Sequence, residues 1–121
     1  MLSTITIGNK EMQLKATSAT TIYFQKTFHK DFLREFAKMT KDDEEVTAYE
    51  LVQQLAFIMA AQVERTQKEL MDGLPELEYV KWLDNFDSDV FLNQDTMTEI
   101  LGVWNKSTKA SVKPKNAISP Q

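Results

Sequence analysis

The stretch that decides the fold is TAYELVQQLAFIMAAQVERTQKELMDG, residues Thr47 to Gly73. Its start fits a helix N-terminus, because Thr47 can act as the N-cap and Glu50, three residues later, completes a capping box. Its end fits a helix stop, with Gly73 at the C′ position and Pro75 just beyond it. The sequence therefore predicts one long helix over residues 47–73.

The centre of this predicted helix is apolar on every side. Seven consecutive apolar residues, Leu55–Ala61, fill two helical turns and so cover the whole circumference. A helix that is apolar all round is normally enclosed by other elements. We therefore expect Leu55–Ala61 to form the hub of the domain, and we expect partner surfaces on the flanking helices.

The flanking segments are predicted to cover this hub. Period-2 alternation on both sides of Gly8-Asn9 predicts a β-hairpin over residues 4–15. Two helices are predicted over 18–28 and 31–39, separated by a break at His29-Lys30, and a charged loop follows over 41–46. A further helix begins at Pro75 and carries an apolar stripe of Leu77, Val80 and Leu83. The last predicted helix covers residues 89–105. The predicted fold is mainly α, a small helical bundle around a central helix with an N-terminal hairpin.

Charge divides the chain into two parts. Residues 1–106 hold 18 acidic and 11 basic residues, a net −7, and are predicted to form one domain. Residues 107–121 hold three lysines and no acid, lack helical periodicity and are predicted to be a disordered tail. An acidic domain repels the phosphates of nucleic acids, so we expect no nucleic-acid partner.

The composition argues against most kinds of catalytic and metal-binding or phosphate-binding site. Without cysteine there is no disulfide or thiolate metal site, and three glycines cannot build a phosphate-binding loop. Asp84, Asp87 and Asp89 do not match the ligand spacing of an EF-hand, and capping is the simpler interpretation of these residues and of His29. We expect no catalytic residue, no cofactor and no metal. We also expect no membrane span or signal peptide, and hence an intracellular protein.

Large aromatic residues cluster in the last third of the chain. Aromatic side chains near a surface are the usual anchors of protein interfaces, although stripe-forming aromatics more often pack in a core. Both interpretations stay open at this stage. The candidate partner-binding residues are Trp82, Phe86, Phe91 and Trp104.

The order of elements and two short motifs resemble a known family. The motifs are FHKDFL at residues 28–33 and WLDNFD at residues 82–87. With the hairpin and the capped apolar helix, they resemble the tail assembly chaperones of siphophages and of prophages of Gram-positive bacteria, over roughly residues 4–105. His29 departs from the pattern, because a glycine-like helix stop is expected there.

The resemblance implies a non-enzymatic binding protein. Such chaperones coat the helical, aggregation-prone tape measure protein while the tail tube polymerises around it. A longer form made by ribosomal frameshifting is thought to recruit the tail tube protein, and the chaperones tend to self-associate. They act in the host cytoplasm and are absent from the mature virion.

Two other functions fit the same residues. The first is a structural component of a phage tail, such as a connector or completion protein, which would be present in purified virions. The second is a small regulator acting on DNA or on a DNA-binding protein, which would show affinity that falls steeply with salt.

Overall fold

The computed structural model describes residues 2–42 and 45–118, and it describes side chains for residues 2–38 and 49–107. The elements are β1 (Leu2–Ile7), β2 (Lys10–Lys15), α1 (Thr20–Phe28), α2 (Phe32–Asp42), α3 (Glu45–Glu64), α4 (Gln67–Asp72), α5 (Glu76–Leu83), a short 3-10 helix (Val90–Leu92) and α6 (Gln94–Ile118). The fold is mainly α with an N-terminal antiparallel hairpin, as predicted. The predicted loop over residues 41–46 is wrong at 41–42 and 45–46, which belong to α2 and α3, and residues 43–44 lie outside the described residues.

The hairpin forms as the alternation predicts. Gly8 has a φ of +66° and Asn9 has no positive φ, which matches a type II′ turn with glycine at its first central position. The turn pairs Ile7 with Lys10 and Ser3 with Leu14 in an antiparallel register. Ile7 and Leu14 are fully buried on the inner face of the hairpin, where β2 lies along α3 and β1 lies along α6.

The break between α1 and α2 is confirmed, and His29 makes it. His29 adopts a left-handed φ of +60°, and its backbone N–H donates to the carbonyl of Gln25 at 2.8 Å. Histidine is one of the non-glycine residues that tolerate this conformation. The Asp31 carboxylate then accepts the backbone N–H of Leu33 at 3.0 Å and so starts α2. The helix stop is therefore made without the glycine that the family resemblance led us to expect.

The prediction of one helix over residues 47–73 is wrong. α3 starts at Glu45, so Thr47 lies inside the helix, and α3 ends at Glu64. A second capping box starts α4: the Thr66 hydroxyl accepts the N–H of Glu69 at 3.2 Å, and the Glu69 carboxylate accepts the N–H of Thr66 at 3.0 Å. These side chains replace the hydrogen bonds that a continuous helix would make at this point.

The stop at Gly73 is confirmed, although it ends α4. Gly73 has a φ of +85°, and its N–H donates to the carbonyl of Leu70 at 3.2 Å. The neighbouring Leu74 N–H donates to the Thr27 hydroxyl at 3.1 Å, which ties the end of α4 to α1. The turn at Gly73 thus sets how α4 and the following segment lie against the first helix.

α3 is the hub of the bundle, as predicted. Its residues Leu55–Met59 are buried, and β2, α1, α2, α4 and α6 lie around it. Gln62 on the same helix is buried as well, and its side chain accepts the Thr20 hydroxyl at 2.7 Å and donates to the Thr17 hydroxyl at 3.2 Å. These two bonds satisfy a buried amide and join the start of α1 to α3.

α5 turns a different face inward from the predicted one. Leu77 is 62% exposed and Val80 is 44% exposed, so the predicted stripe of Leu77, Val80 and Leu83 is wrong for its first two members. Tyr79, Leu83 and the ring of Trp82 face the core cluster instead. The two aromatic rings bury more apolar area than Leu77 and Val80 would, and that difference decides which face turns inward.

α6 differs from the predicted last helix at both ends. It starts after Asn93, whose side-chain oxygen accepts the N–H of Asp95 at 2.7 Å, and not at Asp89. Its backbone continues to Ile118, so the predicted end at Asn105 is wrong. The predicted disorder of residues 107–121 stays a prediction.

Removal of residues 107–121 is expected to change the melting temperature by no more than about 2 °C, because the segment has no apolar stripe that would pack on the domain. Thermal unfolding followed by circular dichroism measures this. A large loss of stability would mean that the segment docks on the bundle.

Candidate protein-binding groove

An open groove of about 460 Å³ runs between the hairpin and α5. Its floor is formed by Phe57, Ala60 and Ala61 of the apolar run in α3. Met12 on β2 and Trp82 on α5 line its two walls.

The groove exists because small side chains lie opposite large ones. Ala60 and Ala61 have short side chains, so the surface of α3 is recessed at these two positions and is only partly covered by other elements. The rings of Tyr79 and Trp82 reach across to Phe57, with centroids 5.2 Å and 5.6 Å from its ring. These rings hold α5 away from α3, so no residue of α5 is fully buried.

The aromatic wall of the groove is a rigid cluster. Trp82, Phe86 and Phe91 form a triangle with ring centroids 5.0 Å, 5.3 Å and 5.7 Å apart. Such ring pairs contribute about 0.5–1.5 kcal/mol each beyond the area they bury. The cluster therefore fixes the position of the indole that lines the groove.

The structure brings together three of the four predicted partner-binding residues. Trp82 and Phe86 are half-buried, whereas Phe91 is buried beneath them. Trp104 lies apart, buried against the ring of Phe32 at a centroid distance of 5.5 Å. Phe91 and Trp104 therefore expose little of their rings in this conformation. Partner binding by all four residues stays a prediction.

An arginine at the α3–α4 junction holds α5 in place. The Arg65 guanidinium donates to the carboxylate of Glu78 on α5, and it lies 3.5 Å from the carboxylate of Glu69 on α4. The hydrogen bond from the Thr66 backbone lowers the pKa of Glu69, and the Arg65 charge lowers it further. The Glu69 carboxylate is thus ionised at neutral pH. Together with Glu78 it keeps Arg65 at the rim of the groove.

Behind the aromatic wall, Tyr79 is bonded to the hub helix. Its hydroxyl accepts a hydrogen bond from the Gln53 side chain at 2.8 Å. Burial raises the pKa of Tyr79, so its hydroxyl is neutral over the physiological range. The ring lies against both Phe28 and Phe57 and adds a further anchor between α5 and the bundle.

Further charged residues surround the groove without forming ion pairs. Glu11 on β2, Glu64 on α3 and Lys81 on α5 line it, and no ion pair among the described residues involves them. The charged groups of these three side chains therefore remain available to a partner. An apolar floor with a polar rim is the usual anatomy of a protein interface.

Several residues of the groove were missed by the sequence analysis, namely Met12, Ala60, Ala61, Arg65 and Glu78. We placed the partner surface on the flanking helices, whereas the floor belongs to the hub helix itself. A signal was present in the run Phe57–Ala61, where two small residues follow three large ones. Small residues at the end of an apolar run permit the close approach of another element.

The described part of the chain shows neither a cluster of metal ligands nor a membrane-spanning helix. Across residues 2–38 and 49–107, no three histidine, aspartate or glutamate side chains converge as metal ligands. Across residues 2–42 and 45–118, no helix is long and apolar enough to cross a membrane. No protein-family model, curated protein or solved structure matches the chain. A functional proposal therefore rests on the groove and on the resemblance in the sequence.

Trp82→Ala is expected to lower the free energy of unfolding by about 2 kcal/mol, because its ring contacts with Phe57, Phe86 and Phe91 are lost. Urea unfolding measures the change. Leu77→Ala on the same helix is the control, since that side chain is exposed and its loss is expected to cost less than about 0.5 kcal/mol. Equal losses in the two variants would mean that the indole does not hold the wall.

Proposed function

We propose that this protein is a tail assembly chaperone that holds an amphipathic helical segment of a phage tape measure protein in the groove between the hairpin and α5. The observation that carries the proposal is the open apolar floor of Phe57, Ala60 and Ala61. The hub helix is enclosed on its other sides and is accessible here. The resemblance described above supplies the identity of the client.

The shape of the groove suits a helix. An amphipathic helix binds by laying its apolar face into a hydrophobic groove. The low alanine floor lets a helix approach closely, the Trp82 ring provides a flat aromatic contact, and the flexible Met12 side chain adapts to different client residues. Such a surface fits a client that presents many similar helical segments in succession.

The charge of the protein suits a chaperone that works in solution. The net −7 of residues 1–106 helps to keep the protein in solution while an apolar groove is open. The proposal places the protein in the host cytoplasm during assembly and outside the finished virion. It includes a longer, frameshifted form that recruits the tail tube protein, and it requires no enzymatic activity.

Co-expression with the tape measure protein of the same phage or prophage tests the proposal. The tape measure protein is expected to move from the insoluble to the soluble fraction and to co-purify with the chain. If its solubility does not change and the two proteins do not co-purify, the proposal fails.

Mass spectrometry of purified virions separates this function from that of a structural tail component. A chaperone is released before the particle is complete, so its peptides are expected to be absent. Stoichiometric recovery of the chain from mature particles would favour the structural alternative.

A further inference from the structure

We propose that the outer edge of β1 pairs with β1 of a second copy of this chain. The pairing is antiparallel about a two-fold axis near Thr4 and joins the two hairpins into one four-stranded sheet. The inference is independent of the groove and of the identity of its client.

The edge of β1 carries unused hydrogen-bonding groups. The two-residue turn makes Ile7 and Lys10 a hydrogen-bonded pair, and pairs of this kind alternate along a hairpin. The N–H and C=O groups of Leu2, Thr4 and Thr6 therefore point away from β2. Among the described residues, no hydrogen bond from another element reaches these three residues. The row is a ready template for a further strand.

β1 also lacks the features that protect edge strands. Its sequence LSTITI contains no charge, proline or glycine and is rich in residues that favour strands. β2, with the sequence KEMQLK, carries two lysines and a glutamate. Charged side chains are a usual means of protecting an edge. Both strands lie along a helix, β2 along α3 and β1 along α6, so the difference between the two edges is one of charge.

Antiparallel pairing of two β1 strands places compatible side chains opposite each other. About an axis at Thr4, the two Thr4 residues face each other, and Leu2 faces Thr6 of the second copy. Threonine pairs across strands are favourable, and the 58% exposed side chain of Leu2 gains cover. A two-stranded sheet is marginal, and two more strands extend it to a stable size.

The charges near the two ends of β1 favour an antiparallel arrangement. Lys15 is paired with Leu2 at one end. Three carboxylates, those of Asp89, Asp95 and Glu99, line a shallow cavity beside Thr6 at the other end. On β2 at that end, Lys10 is paired with Ile7 and Glu11 with Thr6, so the charges of these two residues balance. The two-fold axis brings the lysine of each copy toward the carboxylates of the other. Parallel pairing would place like charges together.

Cysteine cross-linking tests this arrangement, because the natural chain has no cysteine. Opposed residues of an antiparallel sheet have Cα atoms about 5.5 Å apart, which a disulfide spans. Thr4→Cys is therefore expected to form a disulfide-linked dimer under mild oxidation. Gln13→Cys lies beside Thr4 on β2, is equally exposed and is expected to stay monomeric on a non-reducing gel. Equal cross-linking of the two variants, or none in either, overturns the proposal.

Charge substitution at the same two positions supplies a second test. Thr4→Lys places two like charges across the axis and is expected to weaken dimerisation at least about fivefold, measured by analytical ultracentrifugation. Gln13→Lys adds the same charge one strand away and is expected to leave the dimer intact. A wild-type chain that stays monomeric at about 100 μM, or equal weakening by both variants, overturns the proposal.

Discussion

Gly73→Ala is expected to lower the free energy of unfolding by about 3 kcal/mol. An L-residue at a φ of +85° is strained by about 1–3 kcal/mol. The added Cβ would also lie 2.6 Å from the backbone carbonyl oxygen of Lys26, and backbone cannot move aside as a side-chain end can. A loss of this size is a large part of the stability of a small domain. Urea unfolding monitored by fluorescence measures it.

Gly102→Ala is the matched control for this prediction. Gly102 lies inside α6 and does not require a positive φ. Apart from its chain neighbours and the backbone of its own helix, no atom lies within 4 Å of an added Cβ. The alanine is expected to raise stability by about 0.5–1 kcal/mol, because glycine is a poor helix former. If both substitutions leave stability unchanged, the turn at Gly73 does not hold α4 against α1.

Ala61→Glu is expected to weaken binding of the tape measure protein at least about 30-fold. A carboxylate on the groove floor would be buried under the apolar face of a docked helix, at a cost of about 2 kcal/mol or more. The free protein should fold normally, since Ala61 is only partly buried and a longer side chain there reaches solvent. Titration calorimetry with a soluble tape measure segment measures the affinity.

Leu33→Glu is the control for the groove variant. Leu33 is 54% exposed on α2 and does not line the groove. The same charge is introduced there, so a general electrostatic effect on binding would appear in both variants. We expect less than a twofold change for Leu33→Glu. A loss of affinity of similar size in both would place the client elsewhere on the surface.

The elements that follow from strong local patterns could be predicted from the sequence. The hairpin follows from alternation around Gly8-Asn9, and the hub follows from the run Leu55–Ala61. The stop at Gly73 follows from glycine followed closely by proline. In each of these cases the local sequence pattern favours one structure, and no second pattern in the same residues favours another.

The features that could not be predicted lie where two sequence patterns favour different structures, or where only the tertiary arrangement decides. Thr66 and Glu69 form a capping box that interrupts an otherwise continuous helical pattern. The sequence analysis assigned the helix start to the similar pair Thr47 and Glu50 and did not recognise this second box. On α5, the aliphatic stripe of Leu77 and the aromatic stripe of Trp82 were both plausible, and tertiary packing chose the second. The groove arises only when β2 and α5 are placed on either side of Ala60 and Ala61. That is a property of tertiary arrangement, which periodicity does not contain.

Zero-length carbodiimide cross-linking of the wild-type complex with the tape measure protein tests the central claim most directly. This reagent joins an amine to a carboxylate only in direct contact, and Lys81 lies on the rim of the groove whereas Lys38 lies on α2. The account predicts that mass spectrometry finds tape measure peptides linked to Lys81 and not to Lys38. Cross-links at Lys38 with none at Lys81 would contradict it.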